Sequence, residues 1–486
     1  MKKEIISILI CILFLITIPN VNSDETINIT SDEDWWPMFS HDLNNTGFIN
    51  SKAPNTNKVA WYYKTGDRVY SSPAVIDDRV YIGSYDGYLY CLNATSGKKI
   101  WDYDTGESIS SSPAVYNDKV YIGSRNGKMF CLNKTNREHI WNFTTGSGIE
   151  SSPAIANNMI YFGSIDTKVY CLDTETGIEI WNFTTEDAVS SSPAIYEDKI
   201  YIGSKDTKFY CLDAYTGNEI WNYTTEKGIV SSPTLQDDRV YFGSRDKKLY
   251  CLNATNGNYL WNYTTDSAIL SSPSIAIDKI YIGSYDGKLY CLYSNNATHI
   301  WNYTTGGIGS SSPAIADQKI YIGSTDKKLY CLNASSGEFI WNYESDAEVE
   351  SSPAIANNKL FIGLFDTVYA FEYVQGFYVE ITKPKNSFYI NNRDIMKTSS
   401  FEGIGWPFLK PLIIGYIDIE VQATDSEYGI GKVQIYTDDV LKINITSPPY
   451  TWRWDDPEIL LHDIKVIAYS NNGSQETDTI RVWKFL

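Results

Sequence analysis

Residues 191–224 read SSPAIYEDKIYIGSKDTKFYCLDAYTGNEIWNYT. Four short runs rich in β-branched and aromatic residues alternate there with turns that contain Asp, Gly or Asn, which is the pattern of four β-strands. Near copies of this stretch recur, and tryptophan returns every 40 residues, at Trp61, Trp101, Trp141, Trp181, Trp221, Trp261, Trp301 and Trp341. A fixed period of this length indicates a repeat architecture in which one copy is one four-stranded sheet.

A lone sheet of four short strands cannot bury both of its faces, so the copies must pack against one another, and we predict that they close into a β-propeller. Ser-Ser-Pro opens each copy and is predicted to begin strand A, the innermost strand, whose channel side is unpaired and therefore tolerates proline. The alternative is that Ser-Ser-Pro is only a turn. The eight copies start at Ser71, Ser111, Ser151, Ser191, Ser231, Ser271, Ser311 and Ser351.

The eighth copy lacks a tryptophan strand, and a surplus one, Lys58 to Tyr63, precedes the first copy. We predict that this front strand completes the last blade, because pairing of the two chain ends removes the open edges of the ring. The fold class is therefore an all-β, eight-bladed propeller closed by an N-terminal outer strand.

The segment from Cys211 to Trp221 resembles the tryptophan-docking repeat of the eight-bladed propellers named after pyrroloquinoline quinone (PQQ), written Ala-x-Asp-x-x-Thr-Gly-x-x-x-Trp. The segment from Trp36 to Asp42 is similar to the lead-in of secreted members, and the resemblance spans residues 35–372. It implies that each tryptophan lies between the small residue at the first motif position and the peptide near the glycine of a neighbouring blade. Arg137 and Ala297 replace that glycine in two copies, so docking is in question there.

The N-terminus predicts export. Lys2 and Lys3 precede an apolar run from Ile5 to Ile18, which indicates a signal peptide over residues 1–23 with cleavage near Ser23. An uncleaved anchor is the alternative. Residues 24–56 are then a lead-in and residues 57–372 the propeller.

Residues 377–486 no longer follow the 40-residue period. Alternating apolar residues, such as Ile417, Ile419 and Val421, predict a β-sandwich. The stretch around Asp425 to Ile430 and His462 to Tyr469 resembles the Ig-like domains of prokaryotic surface proteins. No cysteine lies in this region, so apolar packing must hold the two sheets together.

Seven of the eight cysteines occupy one position of successive repeats. Equivalent positions of adjacent blades lie too far apart for a disulfide, so we interpret these residues as buried thiols that pack as small apolar groups. They are Cys91, Cys131, Cys171, Cys211, Cys251, Cys291 and Cys331.

Asparagines of Asn-x-Thr sequons follow five of the tryptophans and point away from them, toward the rim of the propeller, where a glycan would not disturb packing. These candidate glycosylation sites are Asn142, Asn182, Asn222, Asn262 and Asn302.

The formal net charge of −19 disfavours a nucleic-acid partner. The four histidines do not converge, and no nucleophile or metal constellation has usable spacing. A ring of turn residues is predicted to shape the turns between the second and third strands, with calcium binding as the alternative. It consists of Asp86, Asn126, Asp166, Asp206, Asp246, Asp286, Asp326 and Asp366.

Two loop positions vary between copies while packing positions repeat. Both fall on the face around the channel mouth, where we expect function to lie, because loops carry binding residues and Tyr and Arg anchor interfaces. Drift at unconstrained loops is the alternative. The binding candidates are Tyr70, Tyr85, Arg125, Glu150, Lys205, Arg245, Tyr285, Glu350 and Phe365.

These features predict a non-enzymatic scaffold at the cell surface or outside the cell that binds a protein or a glycan at the channel mouth, without a cofactor. The alternative, which the resemblance implies, is a PQQ-dependent dehydrogenase with bound quinone and calcium. The adjacent-cysteine disulfide and the helical additions associated with such enzymes are absent from the sequence.

Overall fold

The computed structural model describes residues 35–385, 387–397, 411–425, 429–457 and 460–485. These residues form strands and turns and contain no helix, so none of them forms a helix long and apolar enough to span a bilayer. The segment predicted to be a signal peptide, residues 1–23, lies outside the described residues, and its role stays a prediction.

Eight four-stranded antiparallel sheets make up the propeller, and each is one blade. We name the strands of a blade A to D from the channel outward. Strands A are Ala74–Ile76, Ala114–Tyr116, Ala154–Ala156, Ala194–Tyr196, Thr234–Gln236, Ser274–Ala276, Ala314–Ala316 and Ala354–Ala356. Strands B are Arg79–Gly83, Lys119–Gly123, Met159–Gly163, Lys199–Gly203, Arg239–Gly243, Lys279–Gly283, Lys319–Gly323 and Lys359–Leu364.

The outer half of each blade carries the cysteine and tryptophan positions. Strands C are Tyr88–Asn93, Lys128–Asn133, Lys168–Asp173, Lys208–Asp213, Lys248–Asn253, Lys288–Tyr293, Lys328–Asn333 and Thr367–Glu372. Strands D are Lys99–Asp104, His139–Thr144, Glu179–Thr184, Glu219–Thr224, Tyr259–Thr264, His299–Thr304, Phe339–Glu344 and, for blade 8, Val59–Lys64.

The front strand closes the ring, as predicted from the sequence. Val59–Lys64 pairs antiparallel with Thr367–Glu372, and Trp61 lies opposite Ala370 in this pairing. Blade 8 therefore takes three strands from the C-terminal end of the propeller and one from its N-terminal end.

A ring of hydrogen bonds joins the blades around the channel. The backbone N–H of the second serine of each Ser-Ser-Pro donates to the hydroxyl oxygen of the equivalent serine in the next blade, at 2.9–3.1 Å. The last bond runs from Ser352 to Ser72, so blade 8 meets blade 1 through the same contact as every other pair. Strand A itself begins after the proline, at Ala74 in blade 1, because the serine N–H bonds sideways to the next blade.

The lead-in, residues 35–57, crosses the channel. Its carbonyl oxygens accept hydrogen bonds from the strand A backbone of six blades, at Val75, Val115, Ile195, Leu235, Ile275 and Ile315. The side-chain amide of Asn45, which is buried, donates to the carbonyl oxygens of Pro193 and Pro233. The prediction that the channel side of strand A is unpaired is therefore wrong for these six blades, and the lead-in makes the channel a blind pocket.

Each strand D tryptophan packs against the next blade. Trp221 lies opposite Cys211 in its own sheet, and a Cβ placed on Gly257 of the next blade would fall 2.7 Å from its ring. The Trp221 indole N–H donates to the carbonyl oxygen of Ala254 at 3.0 Å. The glycine is needed at this position because its φ of +73° and the close ring both disfavour a side chain.

Trp61 makes this contact across the closure of the ring. Its indole N–H donates to the Ala94 carbonyl oxygen at 2.8 Å, and a Cβ on Gly97 would fall 2.6 Å from its ring. The Trp341 indole N–H of blade 7 instead donates to the Pro54 carbonyl oxygen of the lead-in at 3.4 Å. Blade 8 has no turn between strands C and D that could supply the acceptor, because its strand D comes from the N-terminal end of the propeller.

The two copies without the glycine keep its left-handed backbone, with φ of 62° at Arg137 and 59° at Ala297. Both facing rings, Trp101 and Trp261, remain buried. The Trp261 indole N–H, however, has no acceptor. The Trp101 indole N–H, which faces Arg137, donates to the Lys134 carbonyl oxygen at 3.3 Å, so a side chain at this position does not by itself remove the bond.

The cysteines of strands C are free and buried among apolar side chains of adjacent blades. Burial raises the pKa of the Cys91 thiol to about 12. Such a thiol stays protonated at neutral pH, which suits a packing role and disfavours a nucleophilic one.

The chain continues after Glu372 into a β-sandwich of two sheets. One sheet has the strand order Phe377–Lys383, Ile417–Asp425, Tyr450–Trp454. The other has the order Arg393–Lys397, Ser387–Ile390, Leu412–Ile414, Gln475–Phe485, Leu460–Ser470, Ile430–Thr437, Val440–Ile445. Apolar residues from both sheets, including Ile419, Val433, Trp454 and Val466, form one buried core.

The closure contact can be tested at Trp61. We expect Trp61→Ala to lower the free energy of unfolding by about 3–5 kcal/mol, because it removes a buried ring at the point where blade 8 meets blade 1. Tyr62→Ala on the same strand is the matched control, since Tyr62 is 68% exposed, and should cost less than about 1 kcal/mol. Equal losses for the two variants, measured by denaturant unfolding, would contradict the account.

The docking glycine can be tested in both directions. Ala297→Gly should stabilise the protein by about 1 kcal/mol, because it relieves an alanine in the left-handed region. Gly217→Ala should destabilise it by at least that amount, since the added Cβ would fall 2.6 Å from the Trp181 ring. Melting temperatures that move in the same direction for both variants would refute this explanation.

Candidate functional site

Two sets of loops meet at the open end of the channel. The turns between strands B and C are hydrogen-bonded to the loops that connect strand D of one blade to strand A of the next. Tyr85 N–H donates to the Arg68 carbonyl oxygen at 2.8 Å, and Arg125 N–H donates to the Ser108 carbonyl oxygen at 3.0 Å. These backbone bonds hold both variable positions at the same end of the channel.

We call the cavity enclosed by these loops the channel mouth. Its volume is about 410 Å³, and Phe39 of the lead-in contributes to its lining. The second serines of seven of the eight Ser-Ser-Pro segments, all but Ser312, also line it. The variable loop residues that line it are Tyr70, Tyr85, Ser110, Arg125, Glu150, Ser190, Lys205, Val230, Arg245, Leu270, Ser310 and Glu350.

The structure thus brings seven of the nine predicted binding residues to one cavity. Phe365 lies in an adjoining cavity of about 280 Å³ with Arg68 and Glu348. The Arg68 guanidinium stands over the Phe365 ring at 5.8 Å. Tyr285 is 45% exposed and does not line the mouth. These two residues belong to the outer border of the site.

One wall of the mouth is a connected cluster. The Tyr70 and Tyr85 ring centroids are 4.5 Å apart, and the Arg125 guanidinium lies 5.1 Å from the centre of the Tyr85 ring. Arg125 donates to the Glu150 carboxylate at 2.6 Å. The Ser190 hydroxyl donates to the other Glu150 oxygen at 3.0 Å. The charges of this wall are therefore satisfied within the protein.

Glu350 is held by Ser310, whose hydroxyl donates to its carboxylate at 3.2 Å. Burial raises the pKa of the Glu350 carboxyl, the Ser310 bond opposes that shift, and the nearby Glu348 charge adds to it. Burial also raises the pKa of Tyr85. The mouth is thus partly desolvated, which strengthens charge interactions with any ligand that enters it.

A second wall carries cations without acid partners. Lys205 and Arg245 line the cavity beside Val230 and Leu270. Within the described part of the chain, neither side chain has an ion-pair or hydrogen-bond partner. The sequence nominated both residues by position, but it could not show which cations at the mouth are already neutralised.

The ring of turn residues has a structural role in the described residues. The Asp86 carboxylate accepts hydrogen bonds from the backbone N–H groups of Gly66 and Tyr88 and from the Tyr90 hydroxyl, at 2.6–3.0 Å. Asp166 and its Tyr170 partner repeat the pattern. These bonds tie each of these turns to the preceding loop.

The mouth residues do not fit the PQQ group that the resemblance implied. PQQ in such enzymes is held together with calcium, yet the two carboxylates of the mouth are already hydrogen-bonded within the protein, Glu150 to Arg125 and Ser190, and Glu350 to Ser310. No group of three or more His, Cys, Asp or Glu side chains in the described ranges is placed to hold a metal ion. The donor set therefore does not match a quinone and calcium site.

The five rim asparagines lie on strands D. Four of them are exposed and Asn262 is half-buried. Each side-chain amide bonds to the residue three positions earlier, for example Asn182 to Glu179 and Asn222 to Glu219. Glycan attachment at these positions stays a prediction.

Family models match the propeller and the C-terminal β-sandwich separately. Residues 38–279 match the β-propeller of beta-alanine-activating enzyme, residues 300–376 match the outer membrane protein assembly factor BamB, and residues 414–482 match the bacterial Ig domain. The chain is a PQQ-type β-propeller protein with a C-terminal bacterial Ig domain.

Solved structures share the fold of this PQQ-type propeller at low sequence identity. The crystal structure of BamB from Moraxella catarrhalis matches with a TM-score of 0.58 and 18% identity, over 65% of this chain and 99% of that chain. The quinohemoprotein alcohol dehydrogenase from Comamonas testosteroni matches with a TM-score of 0.61 and 13% identity, over 73% and 83%. The computationally designed Ika8 protein matches with a TM-score of 0.59 and 16% identity, over 65% and 100%.

A search of curated proteins found no match. The structural matches include a dehydrogenase and a designed protein, so they show the fold of the PQQ-type propeller and leave its activity open.

Proposed function

We propose that this protein is a non-enzymatic binding scaffold that takes a protein partner at the channel mouth. The observation that carries the proposal is the cavity of about 410 Å³, which is closed below by the lead-in and lined by the residues that differ from blade to blade. A repeat protein whose loops differ from blade to blade around one cavity presents an asymmetric surface on a symmetric framework, which suits one particular partner.

The chemistry of the mouth supports binding over catalysis. Tyr70, Tyr85 and Arg125 form a rigid aromatic and cationic cluster of the kind that anchors interfaces. The cysteines, which are the strongest potential nucleophiles, are buried on strands C with raised pKa values. The likeness to BamB, whose family description names an assembly factor, supports a protein partner over a glycan.

The Ig domain and the predicted signal peptide fit a protein that acts outside the cytoplasm, and export is part of this proposal. The Ig domain adjoins the propeller through the lead-in. Asn55 donates to the Thr424 hydroxyl, and Asn57 N–H donates to the Gln422 side chain at 2.7 Å. It would therefore serve as a fixed spacer or as a second contact for the partner.

The proposal is tested by partner recovery from the native envelope. Tyr85→Ala with Arg125→Ala should reduce recovery at least tenfold, because the variant removes the aromatic and cationic anchors. The matched control, Ile140→Ala with Ile180→Ala, removes exposed apolar side chains of the rim and should recover the partner as the native protein does.

Equal recovery by the mouth variant, or loss only in the rim variant, would contradict this site. The dehydrogenase alternative has its own measurement, which is saturable binding of PQQ in the presence of calcium and reduction of an acceptor dye. Dye reduction that depends on both additions would replace the scaffold proposal.

A further inference from the structure

The wall of the channel mouth formed by blades 4 and 5 differs from the rest of the site. Lys205 and Arg245 occupy the turns between strands B and C of these adjacent blades, and one loop, residues 225–233, runs between them. A Cβ on Gly228 of that loop would fall 2.8 Å from the Lys205 carbonyl oxygen, and the Gly228 carbonyl oxygen accepts the Arg245 N–H. The backbone thus fixes both cations on the two sides of one loop.

Three lysines at the start of strands C in blades 4 to 6 are neutralised by acids. Lys208 pairs with Glu186 at 2.7 Å, Lys248 pairs with Glu226, and Lys288 of blade 6 pairs with Asp266 at 3.2 Å. Lys205 and Arg245 lack such acids among the described residues, although the chain carries 59 acidic residues against 40 Lys and Arg. Their free charge at a cavity wall is therefore complementary to an anionic ligand.

Two apolar side chains line the cavity on the same side as these cations. Val230, on the loop between them, and Leu270, on the next loop, line the cavity beside Lys205 and Arg245. The tyrosines of the mouth lie on the other wall, where Arg125 covers the Tyr85 ring. An aliphatic side chain of a bound segment would be buried against Val230 and Leu270.

We infer that the channel mouth recognises an acidic peptide segment whose carboxylate lies between Lys205 and Arg245 and whose neighbouring aliphatic side chain packs on Val230 and Leu270. The inference rests on the proposed function and adds the chemistry of the partner. The sequence could not separate Lys205 and Arg245 from the other binding candidates, because only the structure shows which cations of the mouth are unpaired and which apolar residues line the same cavity.

The probe is an acetylated and amidated hexapeptide of alternating Glu and Leu, labelled for fluorescence anisotropy with the full-length protein. It should bind saturably and more weakly as salt is added, because salt screens the charge interaction. The Gln and Leu analogue should bind at least about tenfold more weakly, as should the Lys205→Gln, Arg245→Gln double variant, because each lacks the charged hydrogen bonds.

The control variant is Lys227→Gln with Lys247→Gln. It has the same net charge as the test variant and lies in the same part of blades 4 and 5, but its residues do not line the mouth. It should bind the peptide within about twofold of the native protein, since screened charges outside the cavity contribute little.

No saturable binding of the Glu and Leu peptide, equal losses in the two double variants, or tighter binding of tetragalacturonate than of the peptide would overturn the inference. The proposed function is judged separately. If the native partner is lost with Tyr85→Ala and Arg125→Ala but retained with Lys205→Gln and Arg245→Gln, the mouth binds its partner by other chemistry and only this inference falls.

Discussion

The architecture depends on the hydrogen bond by which the second serine of each blade donates its N–H to the same serine of the next blade. This contact fixes the distance and angle between neighbours at the channel, where the blades are closest. Because the contact from Ser352 to Ser72 is the same as the other seven, the repeat closes after eight copies. The tryptophans of strands D make the matching contact at the outside, so each blade is held to the next at both edges.

The symmetric ring becomes an asymmetric site through the lead-in. This segment has one copy, yet its carbonyl oxygens satisfy the inner strands of six blades and close one end of the channel. It also supplies Pro54, which accepts the indole N–H of Trp341 where blade 8 lacks an equivalent residue. Closure of the channel, closure of the ring and the contact with the Ig domain therefore all involve residues 35–64.

The blade number and the ring closure could be predicted from the sequence because both follow from a count of repeated packing residues. The path of the lead-in could not be predicted. Its hydrogen bonds to Val75 and Ile315 use backbone atoms, and every amino-acid sequence provides these atoms. The variable loop positions were also found from the repeat. Which of them share the cavity was not, because Tyr285 holds the same turn position as Tyr85 and yet lies outside the lining of the mouth. Nor could the sequence separate Arg125, which is paired, from Arg245, which is not.

Amide hydrogen exchange of strand Val59–Lys64 tests most directly whether the ring is closed by its first strand. If closure holds, amide groups of this strand that bond to Thr367–Glu372 exchange only by global unfolding, with the same free energy of opening as those in strands B and C. Exchange of these amides at a free energy several kcal/mol below the global value, while the other blades remain protected, would show that the ring is open and would contradict the account.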